Sequence, residues 1–317
     1  MNTASIYFQR AARRSGRLFA KHRRNSAHWG ALLGALLGLY GAAADAEEPK
    51  AQITPAITVL AAGDISECNS PGAALTAKLI EKTEGTVLAI GDLAYPNGSL
   101  ANFQKCYDRT WGQFKARTLP TPGNHEYQTR DAAGYFAYFV KQAGENGKGY
   151  YSVDLPGWHI IAINSSIDTG AASEQEAWLQ QDLTANKEPC ILAFWHHARY
   201  SSGPHGDNKH MDPIWETLAR HHASLVISGH DHSYERLTPL DATGHIDRQN
   251  GIRSFIVGTG GARLYNFAMR SNISEEWNGT TWGVLKLELS PGSYTWEFVP
   301  VEGGNFHDSG ESRCAAP

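Results

Sequence analysis

Residues 86–95 read Thr86-Val87-Leu88-Ala89-Ile90-Gly91-Asp92-Leu93-Ala94-Tyr95. Five uncharged, mostly aliphatic residues make a buried-strand pattern, and Gly91 then breaks it, leaving a carboxylate and a phenol in the loop beyond. The same grammar precedes it, where Ile57-Thr58-Val59-Leu60-Ala61-Ala62 runs into Gly63-Asp64. Between the two strands, residues 71–82 read as a helix with Pro71 in its first turn. Strand, helix and strand in that order predict a βαβ unit, with polar groups gathered at the strand ends.

Working outward, apolar strands are expected at 158–163, 191–195 and 225–228. Ser173 reads as the N-cap of a helix through Leu183, with Glu176 three residues on completing a capping box. A further helix is expected over 211–222. Beyond Arg236 the texture changes to strands at 254–257, 282–289 and 294–299, separated by Gly-rich turns. No Pro/Ser-rich linker divides the two textures. One compact domain over 47–317 is therefore expected, with a motif-bearing part at about 57–236 and a β-rich part at 237–317.

The chain of 317 residues has a net charge of −4, which hides an asymmetry. Residues 1–46 carry +6, so the remaining 271 carry −10. So acidic a body repels a phosphate backbone, and no nucleic-acid partner is expected; a small anionic substrate needs a local cation. The basic segment leads into sixteen apolar residues, Trp29 to Ala44, and then Ala44-Asp45-Ala46. Sixteen is short of the roughly 20 needed to span a bilayer. A basic start, a short apolar run and a small-x-small exit read as an export signal over 1–46, with no membrane insertion after its removal.

Export fits the four cysteines, all of which lie beyond Ala46. Four cysteines allow three pairings. Cys68 lies four residues past Asp64 and Cys106 fourteen past Asp92, both near strand ends; the expected pairs are Cys68–Cys106 and Cys190–Cys314. Asn97 and Asn278 head N-x-S/T triplets, which matter only in a glycosylating host.

The chemistry lies in five loops: Gly63-Asp64, Gly91-Asp92-Leu93-Ala94-Tyr95, Gly123-Asn124-His125-Glu126, His196-His197 and Gly229-His230-Asp231-His232. Singly, each has a bland reading as an Asx turn, a hydrogen-bonded loop or a packed histidine pair. Together they supply only O and N donors. That set suits two metal ions about 3.5–4 Å apart, sharing one carboxylate. Without thiolate ligands it favours Fe, Mn or Zn. Other signatures are missing: there is no GxSxG elbow, and Gly144 to Gly149 is too short for a P-loop. Gly258-Thr259-Gly260-Gly261 reads as a turn.

The ordered set GD, GDxxY, GNHE, a strand-end His and GHxH resembles the calcineurin-like metallophosphoesterases, and within them the purple acid phosphatases. Many members of the wider family carry Asp-x-His in the first motif. Here that third position is Ser66, and Tyr95 of GDxxY matches the tyrosine of the purple acid phosphatases. The resemblance implies an α/β (α+β) fold, a four-layer αββα sandwich of two mixed sheets flanked by helices. It implies that Asp64, Asp92, Tyr95 and His232 surround an Fe(III) ion, and that Asp92, Asn124, His196 and His230 surround a divalent ion (Fe, Zn or Mn). The choice of His196 over His197 matches His196 to Tyr200, HHARY, to the family's H-x-P-x-Y, with Ala198 in place of proline. His125 is expected to touch phosphate, and His205 to act as general acid for the leaving alcohol. The Gly-rich 258–261 segment has a counterpart behind the family's site.

The expectation is thus an exported metal-dependent phosphoric ester hydrolase of the acid phosphatase kind. It would act on small phosphomonoesters by in-line attack of a metal-held hydroxide. Two alternatives stand beside it: a phosphodiesterase on nucleotides or lipid head groups, and a non-catalytic exported metal-binding or interaction protein.

Overall fold

The computed structural model describes residues 55–145, 147–266 and 270–315. The expected leader over 1–46 lies outside the described residues. β1 (Ile57–Ala62), α1 (Gly72–Glu81) and β2 (Thr86–Ile90) form the first crossover, with the two strands parallel. Then follow α2 (Leu100–Asn102), β3 (Thr118–Thr121), α3 (Ala133–Phe139), β4 (Tyr151–Leu155), β5 (Trp158–Ala162) and α4 (Glu174–Ala185). β6 (Cys190–His197), α5 (Asp212–Arg220), β7 (Leu225–Gly229) and β8 (Tyr234–Leu237) come next. β9 (Arg253–Val257), β10 (Ser274–Asn278), β11 (Gly283–Ser290), β12 (Ser293–Pro300) and β13 (Ser309–Arg313) complete the chain.

The strands form two mixed sheets, ordered β13-β12-β11-β1-β2-β3 and β10-β8-β9-β7-β6-β5-β4. β11 pairs antiparallel with β1, so the C-terminal strands extend the sheet begun by the first strand. Alternation along β6 shows how the layers are made. Leu192 and Phe194 enter the core between the sheets, whereas Ile191, Ala193 and Trp195 face the helices. On that outer side they meet Leu179 and Leu183 of α4 and Ile214, Trp215 and Leu218 of α5. α1 covers the other sheet with Ala73, Ala77 and Ile80. Helix, sheet, sheet, helix is the four-layer arrangement expected. Among the described residues no helix is long and apolar enough to cross a membrane.

Both expected disulfides form, with Cα–Cα distances of 5.1 Å for Cys68–Cys106 and 5.6 Å for Cys190–Cys314. Two local expectations need correction. Ser173 caps α4 by accepting from the Glu176 N–H at 3.1 Å, but Glu176 does not return the bond. Its buried carboxylate accepts from Thr217 Oγ1 at 2.9 Å, and the Ser173 N–H donates to Gly170 O instead. Packing of α4 on α5 thus takes the carboxylate from the box. The helix expected over 211–222 is shorter: its α-turns begin at Asp212 and end at Arg220, and His222 has φ 57°.

Candidate metal centre

The parallel strands β1, β2 and β3 deliver Asp64, Asp92 and Asn124 just past their C-terminal ends, and the ends of β6 and β7 deliver His196 and His230. Asp64, Asp92 and His230 hold φ of 57°, 51° and 72°. Left-handed backbone at non-glycine residues costs of order 1–3 kcal/mol each and gathers where function over-determines the conformation. Gly91 has φ 67°, and a Cβ there would lie 2.5 Å from the His196 ring. Glycine at that place lets the loop pass under the imidazole.

All seven donors expected from the sequence meet in one cluster. Tyr95 Oη donates to Asp64 Oδ1 at 3.1 Å and lies 3.0 Å from His232 Nε2 and 3.4 Å from Asp92 Oδ2. On the other side, Asp92 Oδ2 lies 3.1 Å from His196 Nε2, which is also 3.1 Å from Asn124 Oδ1 and 3.2 Å from His230 Nδ1. Asp92 therefore stands between a phenol–carboxylate–imidazole group and an amide–imidazole–imidazole group. Two imidazoles are aimed from behind: His196 Nδ1 is 3.1 Å from Ile90 O, and His232 Nδ1 is 2.7 Å from Arg263 O. Backbone partners of that kind turn the opposite ring nitrogen inward. His197 lies beside the cluster, its ring 4.5 Å from that of His230, and its Nδ1 pairs with Ser165 Oγ at 2.9 Å. Ser66 lies 3.4 Å from Thr110 Oγ1 and is not part of the cluster.

Electrostatics fit a cation. Burial alone would push the Asp64 carboxyl up, but His232 and His196 overcome it and hold it low. For Asp92, burial is likewise overcome, by His196 and His125. Burial, then Asp64 and Asp92, push the Tyr95 phenol well above its ordinary value, so it loses its proton only to a strong local positive charge. Burial works against charge on His196, but Asp92 and Asp64 hold it up at about 9. Burial and His196 push His230 down to about 2, leaving a neutral imidazole with a free lone pair. Donor atoms of Asp64, Asp92 and His196 lie within 4.8 Å of one another, as do those of His196, His197 and His230. Crowded carboxylates, an amide oxygen and imidazoles are a donor set that metal ions fit.

His125 and His205 flank the cluster. The His125 N–H donates to Asp92 Oδ1 at 2.8 Å, and its Nε2 lies 3.8 Å from Asp92 Oδ2. The exposed His205 ring lies 4.0 Å from the His230 ring. The structure adds residues that sequence reasoning passed over. Buried Glu126 accepts from the N–H groups of Asp92, Leu93, Ala94 and Gly123 at 2.8–3.2 Å, tying two ligand loops together. Burial and the Asp92 charge push its carboxyl up. The Gly-rich turn does back the site, with Ala262 N donating to Asp64 O at 2.8 Å, and it delivers Tyr265. That ring stacks on His232 at 4.2 Å and 8°. The only sequence signal for Tyr265 was its place four residues past Gly261.

A family model described as calcineurin-like phosphoesterase matches residues 57–234, more than half of the chain. Purple acid phosphatase 23 of Arabidopsis thaliana is 27% identical over 202 residues, covering 51% of this chain and 44% of the relative. A nucleotide pyrophosphatase/phosphodiesterase of Hordeum vulgare is 24% identical and covers 74% of each chain. The solved structure of purple acid phosphatase PPD1 from yellow lupin (Lupinus luteus) superposes with a TM-score of 0.70 at 20% identity, over 81% of this chain and 54% of that one. The chain thus spans about half the length of these phosphatases.

Proposed function

Because the chain belongs to the calcineurin-like phosphoesterase family, we propose that it is an exported binuclear-metal phosphatase that hydrolyses small phosphomonoesters. The observation that carries the reading is Asp92 Oδ2, set 3.1 Å from His196 Nε2 and 3.4 Å from Tyr95 Oη, between two complete donor groups. Asp64, Tyr95 and His232 would hold Fe(III), for which a phenolate is a hard, anionic donor. Asn124, His196 and His230 would hold a divalent Fe, Zn or Mn, and Asp92 would serve both. Such a pair, when bound, activates water at low pH and offsets charge on phosphoryl oxygens. His125, leaning over Asp92, orients the phosphoryl group through Nε2. His205, exposed beside His230, donates a ring proton to the leaving alcohol oxygen. Export is supported by the two disulfides, which persist in oxidising compartments.

A phosphodiesterase reading is kept because of the barley relative, similar over 74% of both chains. The purified protein should hydrolyse p-nitrophenyl phosphate well and bis(p-nitrophenyl) phosphate poorly. The reverse preference overturns the monoesterase reading; activity on neither overturns both.

A further inference from the structure

We propose that Asp231 is a positioning residue that latches the 201–208 loop to the metal-binding turn and so places His205 for proton donation. The proposal rests on the phosphatase reading above and goes beyond it by assigning Asp231, Ser201 and Gly203. Asp231 sits between His230 and His232 and is 1% exposed, yet its side chain joins neither donor group. It points into the loop instead. Oδ2 accepts from Ser201 Oγ at 2.5 Å, and Oδ1 accepts from the backbone N–H of His205 itself at 3.0 Å. Ser201 Oγ in turn accepts from Gly203 N–H at 2.9 Å, so the carboxylate, the hydroxyl and the loop backbone form one closed set.

Close approach is built into the loop. A Cβ on Gly203 would lie 2.2 Å from the Asp231 carboxyl carbon, so any other residue there would push the loop off its latch. Glu235 reinforces it from β8, with Oε2 accepting from Ser202 N–H at 2.9 Å. The His205 ring itself is exposed and touches the rings of His230, at 4.0 Å, and Tyr265, at 5.8 Å. Its placement therefore depends on where the backbone at 205 is held. Because the latch springs from the turn that carries His230 and His232, the backbone of the proton donor is tied to the turn that bears two of the metal donors. A general acid is effective only within hydrogen-bond reach of the oxygen it protonates.

Leaving-group dependence separates positioning from mere stability, because an activated aryl oxide departs without a proton and an alkoxide does not. Asp231→Ala, Ser201→Ala, Asp231→Asn and His205→Ala are compared on 2,4-dinitrophenyl phosphate and on an alkyl phosphate, with metal content measured for each. The expected result is a loss of about tenfold or more on the alkyl ester for Asp231→Ala, part of the 10²–10⁴ a general acid supplies. Turnover of the aryl ester and metal content should stay near wild type. Ser201→Ala should show the same selectivity at smaller amplitude. Asp231→Asn should be close to wild type, since its carbonyl can accept from His205 N–H and its amide can donate to Ser201 Oγ. Asp231→Ala added to His205→Ala should cost little more than His205→Ala alone. A selective His205→Ala beside Asp231→Ala and Ser201→Ala variants that lose both esters equally overturns the latch and leaves the His205 role standing. An unselective His205→Ala overturns both.

Discussion

Removing one oxygen, Tyr95→Phe, separates a phenolate ligand from a packing tyrosine. The ring is 8% exposed, with its centroid 4.4 Å from that of His125 and 6.0 Å from that of His232, and phenylalanine keeps those contacts. What disappears is a donor to Asp64 Oδ1 at 3.1 Å. A hydrogen bond to a charged group is worth about 1.5–3 kcal/mol net. The cost should fall toward the lower end, because Asp64 keeps the His230 N–H at 2.9 Å on its other oxygen. After chelation, urea unfolding of the variant should therefore show a loss of about 1.5–2 kcal/mol, with an unchanged m-value. In iron-loaded protein the consequence is larger, since no neutral group nearby replaces a phenolate. A ring-to-metal charge-transfer band should colour the wild type and be absent from the variant. A colourless iron-loaded wild type, or a variant with the same band, refutes the reasoning and leaves Tyr95 as a packing residue.

Glu126→Gln turns an amide NH2 toward two of the four backbone N–H groups that the carboxylate accepts. Each stranded donor costs about 1–3 kcal/mol, so a loss of about 2–6 kcal/mol in chemical denaturation is expected, and a loss below 1 kcal/mol contradicts the hub role. His159 lies between Asp154 Oδ1 at 2.6 Å and Asp182 Oδ2 at 2.7 Å, clasping the β4–β5 edge to α4. Burial works against its charge, but Asp182 and Asp154 hold it above 6.5. The stabilisation is therefore complete below pH 6.5 and lost as pH rises through the raised folded-state value. His159→Phe should remove that alkaline decline from the stability–pH curve, and an unchanged slope rules out the clasp.

How much of this was legible in the sequence follows from what each signal requires. β1, β2, β5, β6 and β7 lie in sheet interiors and are mostly buried apolar runs, so their ends, and with them Asp64, Asp92, His196 and His230, could be read directly. β3 is a short edge strand containing Pro120, which an edge tolerates, and β10 (SEEWN) and β13 (SGESR) are polar edges without an alternating apolar face. The capping-box reading of Glu176 failed because Thr217, 41 residues away, competes for the carboxylate. Glu126 and Asp231 stayed silent for a related reason. They accept from backbone groups 26 to 34 residues away, apart from the nearby Gly123 N–H, and such bonds leave no periodic trace.

The most direct test of the central claim is metal stoichiometry, by elemental analysis of purified wild type and Asp92→Asn. Asparagine keeps an oxygen for the His125 N–H, now 2.8 Å from Asp92 Oδ1, but loses the anionic oxygen that faces both donor groups. About two ions per chain are predicted for the wild type, as a shared-carboxylate centre requires. Asp92→Asn should bind both ions more weakly, with turnover collapsing alongside. A wild type that turns over phosphate esters without bound metal, or an Asp92→Asn variant with full metal content and near-normal turnover, would contradict the account.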